Sequence, residues 1–230
     1  MAYLRDLPLD AIVITGDITD HGTVQEYELA ASELTADIPV LMLPGNHDDR
    51  GAFRKVLLGA DGDQPINETR LIGSATFALC DSSIPGSPRG LLADETIAWL
   101  DGVLADGEGP AVVCLHHPPV KLHSELVDEL RLTEPGKFAA LIARHPRVAA
   151  ILCGHAHTAA VSTFAGRPVL VAPGIASRLR LPWASTEQLT WNNTLDFSGP
   201  LTVAFHVLDD DYQLTTHYLP VPRSATADQR

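Results

Sequence analysis

Four short segments carry side chains that can hold metal ions: Gly16-Asp17-Ile18-Thr19-Asp20, Gly45-Asn46-His47-Asp48, His116-His117-Pro118-Pro119 and Gly154-His155-Ala156-His157. Taken singly each is weak, because a Gly-Asp pair after an apolar run is more often a turn and a loop histidine is usually just exposed. As a set they differ, since every candidate lies within a residue or two of the end of an apolar run. Imidazole favours zinc, iron, manganese or cobalt, while carboxylate and amide oxygens keep a site hard enough for phosphate. A single carboxylate such as Asp17 can bridge two ions, and two ions about 3.5 to 4 Å apart can hold a bridging hydroxide and clamp a phosphate. In Gly154-His155-Ala156-His157 the i, i+2 spacing puts both imidazoles on one side of an extended segment, so each can reach a different ion. A closed structural zinc site is the competing reading, but it would normally be Cys-rich and built from tight local pairs. His123, His145, His206 and His217 fall outside the four segments and read as ordinary surface or core residues.

These segments can act together only if the fold gathers them. From Asp10 onward one unit repeats: a short apolar run, a polar loop bearing Gly or His, then a stretch with helical spacing, which is the α/β signature. Strands are expected over Ala11 to Ile14, Pro39 to Leu43, Thr76 to Cys80, Ala111 to Leu115 and Val148 to Cys153. Helices are expected from Thr23, from about Asp49 to Leu58, around Ile97, Leu100 and Leu104, and around Phe138, Leu141 and Ile142. Beyond His157 alternation replaces helical spacing: Val161 to Phe164 and Pro168 to Val171 flank an Ala165-Gly166-Arg167 turn, and two further alternating runs surround Asp209-Asp210-Asp211. The expected architecture is a mixed sheet, or two packed sheets, with helices outside. The loops after the early strands then share one sheet edge, where α/β proteins place ligands.

Composition bounds the partners. A chain of 230 residues with 45% hydrophobic, 20% charged and 6% aromatic residues reads as one globular domain over residues 1–230. No apolar run reaches the roughly 18 residues of a membrane span, and the N-terminus lacks a signal-peptide pattern, so a cytoplasmic location without membrane attachment is expected. The formal charge of −13, with 16 unclustered Lys and Arg, repels long nucleic acid. Cys80, Cys114 and Cys153, odd in number and near the ends of apolar runs, read as buried reduced thiols. Kinase and nucleotide-switch readings fail for want of a Gly-rich phosphate loop with Lys.

In order and spacing the four motifs resemble those of calcineurin-like metallophosphoesterases. The extended Gly45-Asn46-His47-Asp48-Asp49-Arg50 and His116-His117-Pro118-Pro119 resemble the bacterial branch containing class III cyclic nucleotide phosphodiesterases and glycerophosphodiesterases. The resemblance covers nearly the whole chain. It implies an α/β sandwich of two packed mixed sheets flanked by helices and a pair of divalent or Fe/Mn/Zn-type ions. The implied activity is hydrolysis of a small phosphodiester, such as a 3′,5′-cyclic nucleotide or a glycerophosphodiester, through a metal-bridging hydroxide.

Carried over by position, the resemblance makes Asp17 the bridging carboxylate and Asn46, His116 and His155 ligands of one metal, with His157 binding the other. His47 would lie beside the phosphate, stabilising charge or protonating the leaving oxygen, and His117 would not be a ligand. Asp20, His21 and Arg50 lie near the motifs and receive no role. The resemblance also implies a homodimer, with the irregular Leu181 to Gly199 segment and its Trp183 and Trp191 as the candidate contact; the alternative place for these tryptophans is the core.

One departure matters. The family opens with a strand ending in Asp-x-His, which supplies ligands to the metal of His157, and no such motif precedes Gly16. The expectation is a fragment lacking that first strand, with the second metal site weakened; a genuine short form is the other reading. A phosphomonoesterase, and a catalytically impaired metal-binding protein, are the functional alternatives.

Overall fold

The first apolar run, too short to bury both faces by itself, forms a minimal strand, β1 (Ile12–Ile14), after a single helical turn, α1 (Ala2–Arg5). Helix α2 (Val24–Glu33) starts at a capping box in which the Thr23 hydroxyl accepts from the Glu26 amide and the Glu26 carboxylate accepts from the Thr23 amide. Strand β2 (Val40–Met42) pairs in parallel with β1, Val13 opposite Leu41. The helix expected from Asp49 is α-helical only as α3 (Arg50–Phe53), and it widens into a π-helical turn over Arg54–Leu58 that ends at Gly59.

The main sheet follows. Strands β3 (Glu68–Ile72), β4 (Ala75–Cys80), β5 (Ala111–Leu115) and β6 (Val148–Cys153) are separated by α4 (Asp94–Asp106), α5 (Glu125–Asp128) and α6 (Pro135–Arg144). A hairpin of β7 (Ala160–Phe164) and β8 (Arg167–Val171) completes six strands in the order β3-β4-β5-β6-β8-β7. The central pairs β4/β5, β5/β6 and β6/β8 are parallel, and the outer pairs are antiparallel. The short β9 (Arg178–Leu179) and β10 (Leu195–Asp196) form a separate antiparallel pair, and β11 (Thr202–Leu208) and β12 (Leu214–Pro220) form the last hairpin. Residues 1–222 are described in this computed structural model.

Every residue of β5 is buried, as an unbroken Ala-Val-Val-Cys-Leu run requires when both sheet faces are covered. Its alternation divides the core. Val113 and Leu115 join Leu100, Leu104, Phe138 and Leu141 under the helices α4 and α6, whereas Val112 and Cys114 meet Leu41, Leu43 and Val13 on the opposite face. Leu214 of β12 packs on that second face, and the Tyr218 hydroxyl donates to the carbonyls of Ala160 and Val171 at 3.0 and 3.1 Å. The β1–β2 pair and the last hairpin thus stack over the six-stranded sheet.

That stacking corrects one expectation. Two packed sheets were among the expected arrangements, but the motif loops were expected along one sheet edge; instead they meet from two sheets, β1 and β2 forming a two-stranded sheet of their own and only β5 and β6 belonging to the main sheet. The edge strand β3 was not anticipated, because Thr69, Arg70 and Leu71 are consecutive exposed residues without the alternation of a half-buried strand. In the β7–β8 hairpin Arg167 pairs with Phe164, so the turn is only Ala165 and Gly166, both at positive φ (48° and 78°), the conformation two-residue hairpin loops favour. All three cysteines are free and buried, as expected. Among the described residues no helix is long and apolar enough to cross a membrane.

Candidate metal centre

Each candidate ligand sits where a strand ends and the backbone must turn sharply. Asp17, His155 and His157 have φ of 53°, 65° and 49°, left-handed values that cost a non-glycine residue about 1 to 3 kcal/mol and are retained where the surroundings over-determine them. Glycine makes the close approach of these loops possible. Gly16 is itself at φ 97°, and a Cβ on Gly45 would overlap the Asp17 carboxylate and lie 2.8 Å from the His116 ring.

Hydrogen bonding fixes which atoms face the centre. His116 Nδ1 lies 2.6 Å from the carbonyl oxygen of Thr15. A carbonyl can only accept, so Nδ1 carries the proton and Nε2 of the neutral ring carries a lone pair. That nitrogen stands 3.2 Å from Asp17 Oδ2, 3.2 Å from Asn46 Oδ1 and 3.2 Å from His155 Nδ1, and His155 Nδ1 is 2.9 Å from Asn46 Oδ1. Four side-chain polar atoms of metal-ligating type therefore converge, the His116 Nε2 lone pair among them. Such an arrangement is repulsive when empty and is satisfied by a cation, and the mixed imidazole, carboxylate and amide set suits a borderline divalent metal. The residues present fit the metal the sequence implied.

The electrostatics agree. Burial tends to raise the Asp17 carboxyl, yet the charge of His116, its hydrogen bond and the His47 amide hold it well below the usual carboxylate range. Burial tends to lower His116, but the Asp17 carboxylate outweighs it and raises the ring. His155 is pushed down to about 3 by burial and by neighbouring His116, and His157 is lowered chiefly by burial, so both rings are neutral at ordinary pH.

The other predicted residues fall into place around this cluster. His157 pairs Nδ1 with the Ser177 hydroxyl at 2.7 Å. His47 donates Nδ1–H to the Asp20 carbonyl at 2.9 Å, and its own amide donates to Asp17 Oδ1 at 3.0 Å. His21 is engaged with Glu26, and Arg50 turns away to the buried Asp81 carboxylate at 2.7 Å and the Ser83 carbonyl. His117 is nearer than the sequence suggested: the imidazole nitrogens of His116, His117 and His155 all lie within 4.8 Å of one another. Its Nδ1 meets the Ser82 hydroxyl at 2.9 Å, it is fully buried against Gly90, and its Nε2 has no hydrogen-bond partner among the described residues.

Sequence reasoning missed the residue that holds the two loops together. The Asp48 carboxylate accepts from the amides of Ile18, Thr19 and Gly45, from the Thr19 hydroxyl and from the Tyr27 hydroxyl, at 2.8 to 3.2 Å. It clamps the Asp17 loop to the Asn46 loop. The only signal in the sequence was its place beside His47, which does not distinguish a ligand from a clamp.

A cleft of about 220 Å³ opens over Asp17, Asn46, His47, His155 and His157. A cluster of side chains that could hold a metal ion beside a cleft, carried on the loops of stacked sheets, is the arrangement a metallohydrolase centre requires. The profile of the calcineurin-like phosphoesterases matches residues 1–159, and the chain belongs to that family.

Among its relatives, glycerophosphodiester phosphodiesterase GpdQ of Enterobacter lignolyticus is 36% identical over 180 residues, which is 74% of this chain and 63% of the relative. A probable cyclic nucleotide phosphodiesterase of Rhodococcus erythropolis is 38% identical, over 71% of this chain and 56% of the relative. The 3′,5′-cyclic adenosine monophosphate phosphodiesterase CpdA of Escherichia coli is 30% identical, over 87% and 75%. The chain thus spans less than two thirds of the first two relatives. A dimetal phosphatase from Danio rerio shares the fold, with a TM-score of 0.62 over 75% of each chain at 16% identity. The chain belongs to the branch of the family that holds these phosphodiesterases, and membership of the family implies divalent metal ions.

Proposed function

We propose that this chain hydrolyses small phosphodiesters, with Asp17, Asn46, His116 and His155 holding one metal ion and Asp17 and His157 contributing to a second. The observation that carries the reading is that the Asp17, Asn46 and His155 donor atoms each lie 3.2 Å from His116 Nε2, and that Asp17, Asn46 and His155 line the cleft. Bound divalent ions supply charge neutralisation to a phosphate and acidify a water molecule to make the nucleophile.

The protein residues do the rest. Asp17 brings a carboxylate that stays ionised at any working pH. Thr15 orients His116, and Ser177 orients His157, so that ring torsion is restricted before any ligand arrives. His47 lines the cleft with Nδ1 already committed to Asp20, which leaves Nε2 to act on the phosphate. In the neutral ring that atom is a lone pair; only the imidazolium can donate from it, either to a nonbridging oxygen or to the departing ester oxygen. The names of the relatives support small phosphodiesters such as cyclic nucleotides or glycerophosphodiesters, and a net charge of −13 opposes binding of a long polyanion.

The test is metal analysis together with turnover of bis-p-nitrophenyl phosphate and p-nitrophenyl phosphate by the metal-loaded chain. Diester turnover that exceeds monoester turnover and disappears with a chelator is the expected result. Preference for the monoester would favour a phosphomonoesterase. Metal binding without turnover of either compound would leave the chain a metal-binding protein alone.

A further inference from the structure

The cleft has two chemically different halves. One is the histidine and carboxylate floor; the other is a wall of Val127, Leu130, Leu179, Trp191 and Leu195. The Leu179, Trp191 and Leu195 part of this wall comes from the later segment, beyond residues 1–159 that the family profile covers. Among the described residues no lysine or arginine lines the cleft.

The wall is held in register with the metal centre by an unbroken path of hydrogen bonds. The Leu179 amide donates to the His157 carbonyl at 2.9 Å, Leu179 pairs with Leu195, and the Arg180 amide donates to the Thr194 carbonyl at 2.7 Å. The turn that carries Trp191 closes on itself, because the Thr194 amide donates to the Thr190 carbonyl and Asn193 Oδ1 accepts from the Thr190 amide at 2.7 Å. Trp191 is 53% exposed even though it is anchored in this way. Beside it Thr194 is completely buried, and its hydroxyl has no hydrogen-bond partner among the described residues. A buried hydroxyl left unsatisfied carries a penalty that a ligand atom can relieve.

We propose that Trp191, the apolar wall and the Thr194 hydroxyl form an ester-group subsite that selects phosphodiesters bearing a planar aromatic group, such as a nucleobase or an aryl ring, over glycerol diesters. This rests on the reading that the cleft floor binds phosphate. An exposed indole offers a flat π-face, and a base stacked on an aromatic side chain gains about fivefold or more in affinity irrespective of base identity. A glycerol ester presents several hydroxyls to a wall that has one hydroxyl to offer, so its polar groups would lose water without replacement. A cationic headgroup finds an aromatic face but no carboxylate on this wall.

Calorimetric titration of the manganese-loaded full chain with adenosine 5′-monophosphate and with glycerol 3-phosphate tests the subsite without relying on turnover. The expected result is at least tenfold tighter binding of the nucleotide, a ratio that falls to about twofold in Trp191→Ala and is restored in Trp191→Phe. Thr194→Val should weaken the nucleotide alone by about two- to fivefold. Trp183→Ala, outside the cleft lining, should leave both affinities as they are. Equal affinity for the two ligands in the unaltered chain, or a preference that survives Trp191→Ala, overturns the subsite while leaving the phosphate reading intact. If neither ligand binds, the phosphate reading fails, and the subsite with it.

Discussion

His116 donates its Nδ1–H in a hydrogen bond to the Thr15 carbonyl at 2.6 Å, and this contact between residues 101 apart joins the end of β5 to the end of β1. It decides that Nε2 is the nitrogen that meets the other donor atoms. The approach tolerates no bulk: a Cβ on Gly154 would sit 2.7 Å from that same Thr15 oxygen, and one on Gly45 would overlap Asp17. Gly45→Ala should therefore cost about 1 to 3 kcal/mol by overpacking. Thermal melting should show a drop of roughly 3 to 10 °C, and metal analysis should show reduced occupancy; a variant that melts and binds metal normally would mean the loops are looser than the structure shows.

Ligands and the residue that acts on phosphate should separate cleanly. Asp17→Ala and His155→Ala remove donor atoms of the converging set, so both metal content and rate should fall. His47→Ala should lower the rate by about 10²- to 10⁴-fold, the contribution of a general acid, with metal content unchanged. Equal metal loss in His47→Ala would refute its assignment.

Asp48 should matter without touching a metal. Replacement by Ala strands the amides of Ile18, Thr19 and Gly45 and the Tyr27 hydroxyl, at a cost of about 3 kcal/mol or more. Denaturant unfolding should report that loss, and metal affinity should weaken because the two ligand loops are no longer clamped. Asp48→Asn, which keeps one acceptor oxygen, should fall between. Unchanged stability in Asp48→Ala would show that water replaces the carboxylate there.

Acid should destabilise the last hairpin through His206. Burial pushes this ring down to about 4 from its ordinary 6.5, and its Nδ1 lies 2.8 Å from the Thr216 hydroxyl. The folded pKa is below the unfolded one, so the unfolded chain binds the extra proton. The contribution is fully present above about pH 6.5 and is lost as pH falls towards 4, with a slope of at most about 1.4 kcal/mol per pH unit. His155 acts with the same sign in this window, so the comparison of unaltered protein with His206→Asn isolates His206. Parallel stability curves for the two proteins between pH 6.5 and 4 would rule the effect out.

The residue types gathered at the cleft, and most of the strands that carry them, were legible in the sequence. Metal ligation depends on side-chain type, and the gathering of Asp, Asn and His at strand ends is a local property that survives without knowledge of the fold. The buried run of β5 was equally plain, since a strand covered on both faces must be apolar throughout. The tertiary structure alone decided that β1 and β2 stack as a separate sheet, that Asp48 clamps rather than ligates, and that Thr15 selects the His116 tautomer. It also decided that Trp191 and Thr194, from a segment with no periodicity, complete the cleft. Periodicity records which face of an element is buried, but not what it is buried against. These last features are contacts between distant residues, each set by the packing of one element on another.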